Sequence, residues 1–277
     1  MSSIRVNSCC FVVAASTAMA LGLAPALAGD VRIVTWNVKD IFSASDVAAR
    51  ASDLANMAAE IKPDILCLEE VTSLSVVEAI AKKMHLNDFH VACSDFAQSD
   101  APNRNAFEVA IVSRYPFTQV IEYDPSLDNQ EDEDDPEELK LTPPKKLGIE
   151  GSGGSRGCLW ARIDDVKLTV AVVHLKSSLG NVGAPDAGNA RKREYVVSAV
   201  AAGVNEDIAY FPGFSFIVLG DFNVGHSDTK KNGISVAADC HQNCGANEDR
   251  YDETHALLGA GLVGSLKMKV LPQNSWV

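Results

Sequence analysis

The sequence has no dense set of cysteines, no excess of basic residues, and no long apolar run after its first thirty positions. Each absence excludes something. Seven cysteines in 277 residues are too few for a disulfide-built mini-protein. Nineteen glycines and eleven prolines exclude a collagen-like or low-complexity chain. No period of 20–50 residues recurs, which argues against a solenoid. Lys and Arg number 24 against 37 Asp and Glu, a formal charge of −13. That balance excludes an electrostatically driven coat for nucleic acid but not an enzyme that handles phosphates through a metal ion. What is present is an ordinary globular composition. With 47% hydrophobic residues the chain can fill a core, and its length allows one large domain or two small ones.

The one long apolar run is N-terminal. Arg5 precedes residues 9–27, which end in Ala26, Leu27 and Ala28, an A-x-A cleavage pattern ahead of Gly29 and Asp30. The run is long enough to span a bilayer on count alone, but Ser16, Thr17, Gly22 and Pro25 dilute it. The expectation is a cleaved signal peptide over 1–28 and a secreted or periplasmic domain over 29–277 with no membrane anchor; the alternative is an uncleaved anchor. Cleavage removes one arginine, no acid and two cysteines, leaving 249 residues, a charge of −14 and five cysteines. In an oxidising compartment Cys240 and Cys244 can close a small disulfide. With His241 between them they also read as a zinc motif without a fourth ligand, or as plain loop. Cys67 sits in an apolar run and reads as core.

Periodicity predicts strands at 31–36 and 64–68, a helix over 46–61 stopped by Lys62 and Pro63, and a second helix over 74–84 capped by Ser73. Strands follow at 89–93, 107–113 and 117–123. Residues 159–163 and 167–173 form a hairpin around Asp164 and Asp165. A long helix from 187 to 204 precedes a buried strand over 214–219. Alternation, then a run of strands, then alternation again predicts one α+β domain with a mixed sheet and no internal break. Residues 124–155 read as a loop insertion. Eight of the eleven residues over 128–138 are acidic, followed by Lys140, Lys145 and Lys146 and a Gly/Ser stretch. A solvated loop is the plain reading. A Ca²⁺ loop is the other, although the glycine and spaced glutamate of an EF-hand are absent.

Four apolar runs end in residues able to bind metal or phosphate: Trp36 and Asn37; Glu69 and Glu70; His174, Lys176 and Ser177; and Gly220, Asp221, Phe222 and Asn223. Strand ends are rigid, so side chains there can converge precisely. Carboxylates, amides and an imidazole suit Mg²⁺ or Mn²⁺ with a phosphate group. Singly, each segment has a commonplace reading as packing, surface or turn. Jointly and in this order they are specific.

In these segments the chain resembles the endonuclease/exonuclease/phosphatase superfamily, which includes pancreatic deoxyribonuclease. The resemblance runs from Val31 to Asn223. It includes the 64–70 segment, Val109 to Pro116, Arg156 with Gly157, His174 to Ser178, and the Gly220–Asn223 turn. The histidine segment and residues 191–194 are most similar to the exported bacterial nuclease branch. The resemblance implies a four-layer α/β sandwich, two packed mixed β-sheets flanked by helices, and metal-dependent hydrolysis of phosphodiesters in nucleic acid by a monomer. Glu70 would be the main metal ligand, with Asn37 beside it. His174 would donate to the scissile phosphate or protonate the leaving oxygen. Asp221 would orient or deprotonate water, and Asn223 would hold the phosphate. Arg156 would contact phosphate. Glu69 falls where relatives often carry Gln. Lys176, Arg104 and the basic run 191–193 are candidates for the local positive charge that a polyanion needs.

The chain departs from the family near its end. Relatives carry a Ser-Asp-His segment followed by an apolar strand; here His226, His241 and His255 match neither its order nor its setting. The expectation is a domain lacking its last strands, with weak or no catalysis; the alternatives are a divergent, active member or a phosphoesterase for phospholipids or sugar phosphates.

Overall fold

Continuous apolar runs make strands that can be covered on both faces, and the helices between them supply the cover. The computed structural model describes residues 31–39, 41, 43–94, 108–123, 141–142, 157–176 and 187–223. In chain order the elements are β1 (Ile33–Asn37), α1 (Ala44–Ala49), α2 (Ala51–Ile61), β2 (Ile65–Val71), α3 (Leu74–Lys83), β3 (His90–Cys93), β4 (Glu108–Ser113), β5 (Gln119–Tyr123), β6 (Leu141–Thr142), β7 (Cys158–Ile163), β8 (Leu168–His174), α4 (Ala187–Tyr210) and β9 (Ser215–Asp221). They form a four-stranded sheet, order β1-β2-β4-β3, and a five-stranded sheet, order β6-β5-β7-β8-β9. Both are mixed: β1 runs parallel to β2 and β8 parallel to β9, while β4 and β7 pair antiparallel with their neighbours.

Side-chain alternation sorts the core into three seams. In β2, Leu66, Leu68 and Val71 face α1–α3 with Val47, Leu54, Val77 and Ile80. Ile65 and Cys67 point the other way, between the sheets, with Val109, Ile111, Leu159, Val170 and Val172. On the far side of the second sheet, Trp160, Val173 and Phe216 pack against Val197, Val200 and Val204 of α4. Helix, sheet, sheet and helix therefore stack as four layers, the expected sandwich. Each fully buried Leu, Ile or Val contributes roughly 1.5–3 kcal/mol of transfer free energy.

Three local expectations change. The helix over 46–61 is two helices broken at Arg50, which adopts φ −104° and ψ 10°. The Arg50 guanidinium donates to the carbonyls of Val38 and Lys39, so the break places a clamp on the exit of β1. Ser73 stands at the N-terminus of α3, but its side chain makes no capping bond to the helix. Within the 124–155 insertion, Leu141–Thr142 is a short strand parallel to β5 and not loop. Residues 128–138 lie outside the described residues.

Candidate active site

The strands of both sheets end at one shared edge, and the residues there come from four strand ends. Asn37 closes β1, and its register partner is Glu69. By alternation Asn37 and Glu69 share the inter-sheet face of β2 that Cys67 occupies. Glu70 would then point toward the helices. A β-bulge prevents this: pairing with β4 passes from Glu69↔Val109 to Val71↔Glu108, and Glu70 is the extra residue. Glu70 takes the left-handed conformation, φ 64°, which for a residue with a Cβ costs about 1–2 kcal/mol. Bulges of this kind re-aim a side chain next to a site. The aim is visible in its contacts. Asn37 Nδ2 donates to Glu70 Oε1 at 2.9 Å and to Asp221 Oδ2 at 3.1 Å. Asn37 Oδ1 accepts the Lys39 N–H at 2.9 Å, which fixes the amide's orientation. One carboxamide thus links a carboxylate of the first sheet to a carboxylate of the second.

The second sheet supplies the rest. His174 ends β8 in register with Asp221 at the end of β9. His174 is buried, and its Nε2 lies 3.8 Å from Glu70 Oε1. Gly220 explains the close approach of β9 to β8. It has φ 126°, and a Cβ there would fall inside the van der Waals envelope of the Val173 carbonyl oxygen. Only glycine satisfies both demands. After the strand, Asp221 Oδ1 accepts the Asn223 N–H at 2.9 Å, while the Asn223 amide donates to the Leu175 carbonyl at 2.8 Å. In this state Asn223 ties the β9 exit to the β8 exit.

Glu69 and Glu70, adjacent in sequence, have different surroundings. Glu69 is fully buried, and the Thr35 hydroxyl donates to its Oε1 while Oε2 has no hydrogen-bond partner. Burial pushes its carboxyl well above the ordinary range, and the negative Asp221 and Glu70 push it further; the Thr35 bond opposes them in part.

Six of the sequence-derived candidates (Asn37, Glu70, His174, Lys176, Asp221 and Asn223) thus lie at this edge or on its strand exits. Arg156, Arg104, Cys240 and Cys244 lie outside the described residues, as do the side chains of Arg191 and Lys192. Arg193 is a correction: it is buried, not a surface charge for the cleft, and its Nη1 donates to the Lys176 carbonyl at 2.6 Å. Glu108 was missed. It is a buried acid at the start of β4, paired in register with Val71, and it accepts from the Ser94 hydroxyl at 2.7 Å. An acid directly ahead of an unbroken apolar run was the available signal.

The donor chemistry fits a hard divalent ion. Two carboxylates, Glu70 and Asp221, meet here with the Asn37 amide nitrogen between them, and a buried carboxyl oxygen of Glu69 beside them has no hydrogen-bond partner. Among the described residues no group of three or more His, Cys, Asp or Glu is disposed to hold a metal.

The model of the Endonuclease/Exonuclease/phosphatase family matches residues 34–239, most of the chain. The chain belongs to this family. Members of the endonuclease/exonuclease/phosphatase family are in general divalent-metal-dependent phosphoester hydrolases, and the α+β sandwich is theirs. No curated protein matches the chain. Among solved structures, humanized D. rerio TDP2 is 17% identical with a TM-score of 0.45, covering 76% of this chain and 73% of that one. The 3′ phosphatase NExo from Neisseria, bound to a product DNA hairpin, is 20% identical with a TM-score of 0.43, covering 72% and 61%. A β-hairpin deletion mutant of beta toxin from Staphylococcus aureus is 14% identical with a TM-score of 0.47, covering 83% and 73%. No helix among the described residues is long and apolar enough to cross a membrane.

Proposed function

We propose that the chain is an exported, Mg²⁺- or Mn²⁺-dependent phosphodiesterase that hydrolyses nucleic acid. The observation that carries this reading is the Asn37 amide bonded to both Glu70 and Asp221, with His174 Nε2 3.8 Å from Glu70. The Glu70 and Asp221 carboxylates, bonded to one amide, repel any phosphate, so the cluster makes sense around a cation. Glu70 would hold it, with Asn37 beside it as a donor to the Glu70 and Asp221 carboxylates and not as a ligand, since the amide oxygen is turned to the Lys39 N–H. A bound divalent ion neutralises charge at the phosphoryl oxygens and acidifies water. The chain's own groups do the rest. Asp221 orients or deprotonates the attacking water. His174 donates from Nε2 to the phosphate or to the leaving oxygen. A positioned acid or base of this kind typically contributes roughly 10²–10⁴-fold. The backbone at Leu175 and Lys176 is held by the β9 exit and by Arg193, which fixes where His174 stands.

The test is hydrolysis of a DNA duplex, an RNA oligonucleotide, a phospholipid, a sugar phosphate and bis(p-nitrophenyl) phosphate by the purified protein, with Mg²⁺ and then with EDTA. Cleavage of nucleic acid that EDTA abolishes is expected. Cleavage confined to a phospholipid or sugar phosphate would replace the nuclease reading with the other phosphoesterase one. No hydrolysis of any phosphoester by folded protein would overturn the enzymatic reading. Export is tested separately, by N-terminal sequencing of protein recovered outside the cytoplasm, which is expected to begin at Gly29.

A further inference from the structure

We infer that Arg193 is a positioning residue, whose buried guanidinium clamps the strand exit that carries His174. The inference rests on the phosphodiesterase reading above and adds to it a residue that touches neither substrate nor metal. Arg193 is among the largest fully buried side chains of the described residues, with 2% of its surface exposed. A guanidinium stays charged at every physiological pH, so burying one is costly unless it is hydrogen-bonded. The seam of α4 against the second sheet is apolar, made by Val196, Val197, Val200, Ala201 and Val204, and Arg193 is not among its members. Arg193 stands one turn before that seam and reaches out of the helix to the backbone beyond β8.

The place it reaches is specific. Three residues in a row at the β8 exit are held by other elements. His174 pairs in register with Asp221. The Leu175 N–H donates to the Asp221 carbonyl at 2.8 Å, and the Leu175 carbonyl accepts from the Asn223 amide at 2.8 Å. The Lys176 carbonyl accepts from Arg193 Nη1 at 2.6 Å. β9 grips the exit from one side, and Arg193 grips it from α4. A bond from a cation to a carbonyl is shorter and stronger than a neutral one, which suits a segment that must not drift. Misplacing a catalytic group by about 1 Å can cost on the order of 10²-fold in rate. Arg193 therefore acts through His174, with Lys176 as the handle.

A double-mutant cycle tests this. Arg193→Met and Arg193→Lys are made in the wild-type chain and in His174→Ala, and kcat and KM are measured with bis(p-nitrophenyl) phosphate and Mg²⁺. In the wild-type background Arg193→Met is expected to lower kcat about 10–100-fold with KM changed by less than about twofold, and Arg193→Lys to recover part of the loss. In His174→Ala the same change is expected to lower the residual rate by no more than about twofold, because residues acting as one unit are not additive. An equal loss in both backgrounds, or full kcat in folded Arg193→Met, overturns the inference. If Arg193→Met does not fold, the cycle is run with Arg193→Lys and judged by the same criteria. If the wild-type chain hydrolyses nothing, the functional reading fails by itself, and the clamp is read from amide hydrogen exchange. Exchange at Leu175 is then expected to quicken about tenfold in the Arg193 variants with β7 amides unchanged, and unchanged exchange at Leu175 overturns it.

Discussion

The two edges of the sandwich use the same backbone device for different ends. At the edge opposite the site, Lys62 follows α2, His85 follows α3 and Lys167 turns β7 into β8, all with φ between 50° and 59°. All three are exposed, and each reverses the chain. Charges there are paired simply: Asp64 accepts the Arg32 N–H at 2.8 Å and meets Arg114 at 2.7 Å. At the site edge, Glu70, Gly220 and Asn223 hold positive φ, as does exposed Lys39 at the β1 exit. The first three are half-buried or buried, and each aims a group: Glu70 toward Asn37, β9 toward β8, Asn223 toward Leu175; Lys39 gives its N–H to the Asn37 amide oxygen. The far edge should therefore accept glycine freely. The site edge should not accept substitution at all without losing position.

The largest effect is expected at Gly220. Gly220→Ala forces a Cβ onto the Val173 carbonyl and a left-handed alanine. A loss of about 3 kcal/mol or more is expected, seen as a fall of about 10 °C in melting temperature or failure to fold. Asn223→Ala comes next. It removes the Leu175 bond and a residue tolerant of positive φ, for about 1–2 kcal/mol, with kcat reduced. Asn223→Gly separates the two causes: it is expected to recover the stability and leave kcat low.

Glu69 tests the buried acid through pH. Its carboxyl is held protonated above the ordinary range, whereas the unfolded chain ionises it near pH 4.3. Folding must then take up a proton above that pH, so Glu69 lowers stability as pH rises. Glu69→Gln in metal-free protein is expected to melt with the wild type at pH 4 and about 2–4 °C above it at pH 8, by calorimetry. The smallest effect is at the far edge. Lys167→Gly is expected to move the melting temperature by no more than about 2 °C and to leave kcat unchanged.

The sequence carried the periodic part of this molecule. Strands that are apolar on both faces read as unbroken runs, so β2, β8 and β9 and the helices that cover them were legible. The motif residues were legible too, because each stands where such a run meets polar residues. What was not legible depends on contacts across the chain. Arg50 breaks a helix for the sake of carbonyls twelve and eleven residues away. Arg193 looks like one of three surface bases until its partner at Lys176 is seen. The bulge that turns Glu70 inward leaves no mark in the residue types, since Glu69 and Glu70 are the same amino acid in opposite roles. Leu141–Thr142 pairs in the middle of a segment whose composition is that of a loop.

The central claim is that Glu70, turned inward by its bulge, makes this edge a cation-dependent site for phosphoester hydrolysis. The direct measurement is the rate of phosphodiester hydrolysis across a Mg²⁺ titration for the wild type and for Glu70→Gln, with folding of both checked by circular dichroism. The expected result is a saturable Mg²⁺ dependence in the wild type and a rate at least about 10³-fold lower in folded Glu70→Gln at every Mg²⁺ concentration. A Glu70→Gln protein that hydrolyses phosphodiesters at the wild-type rate, with the same Mg²⁺ dependence, would contradict the account.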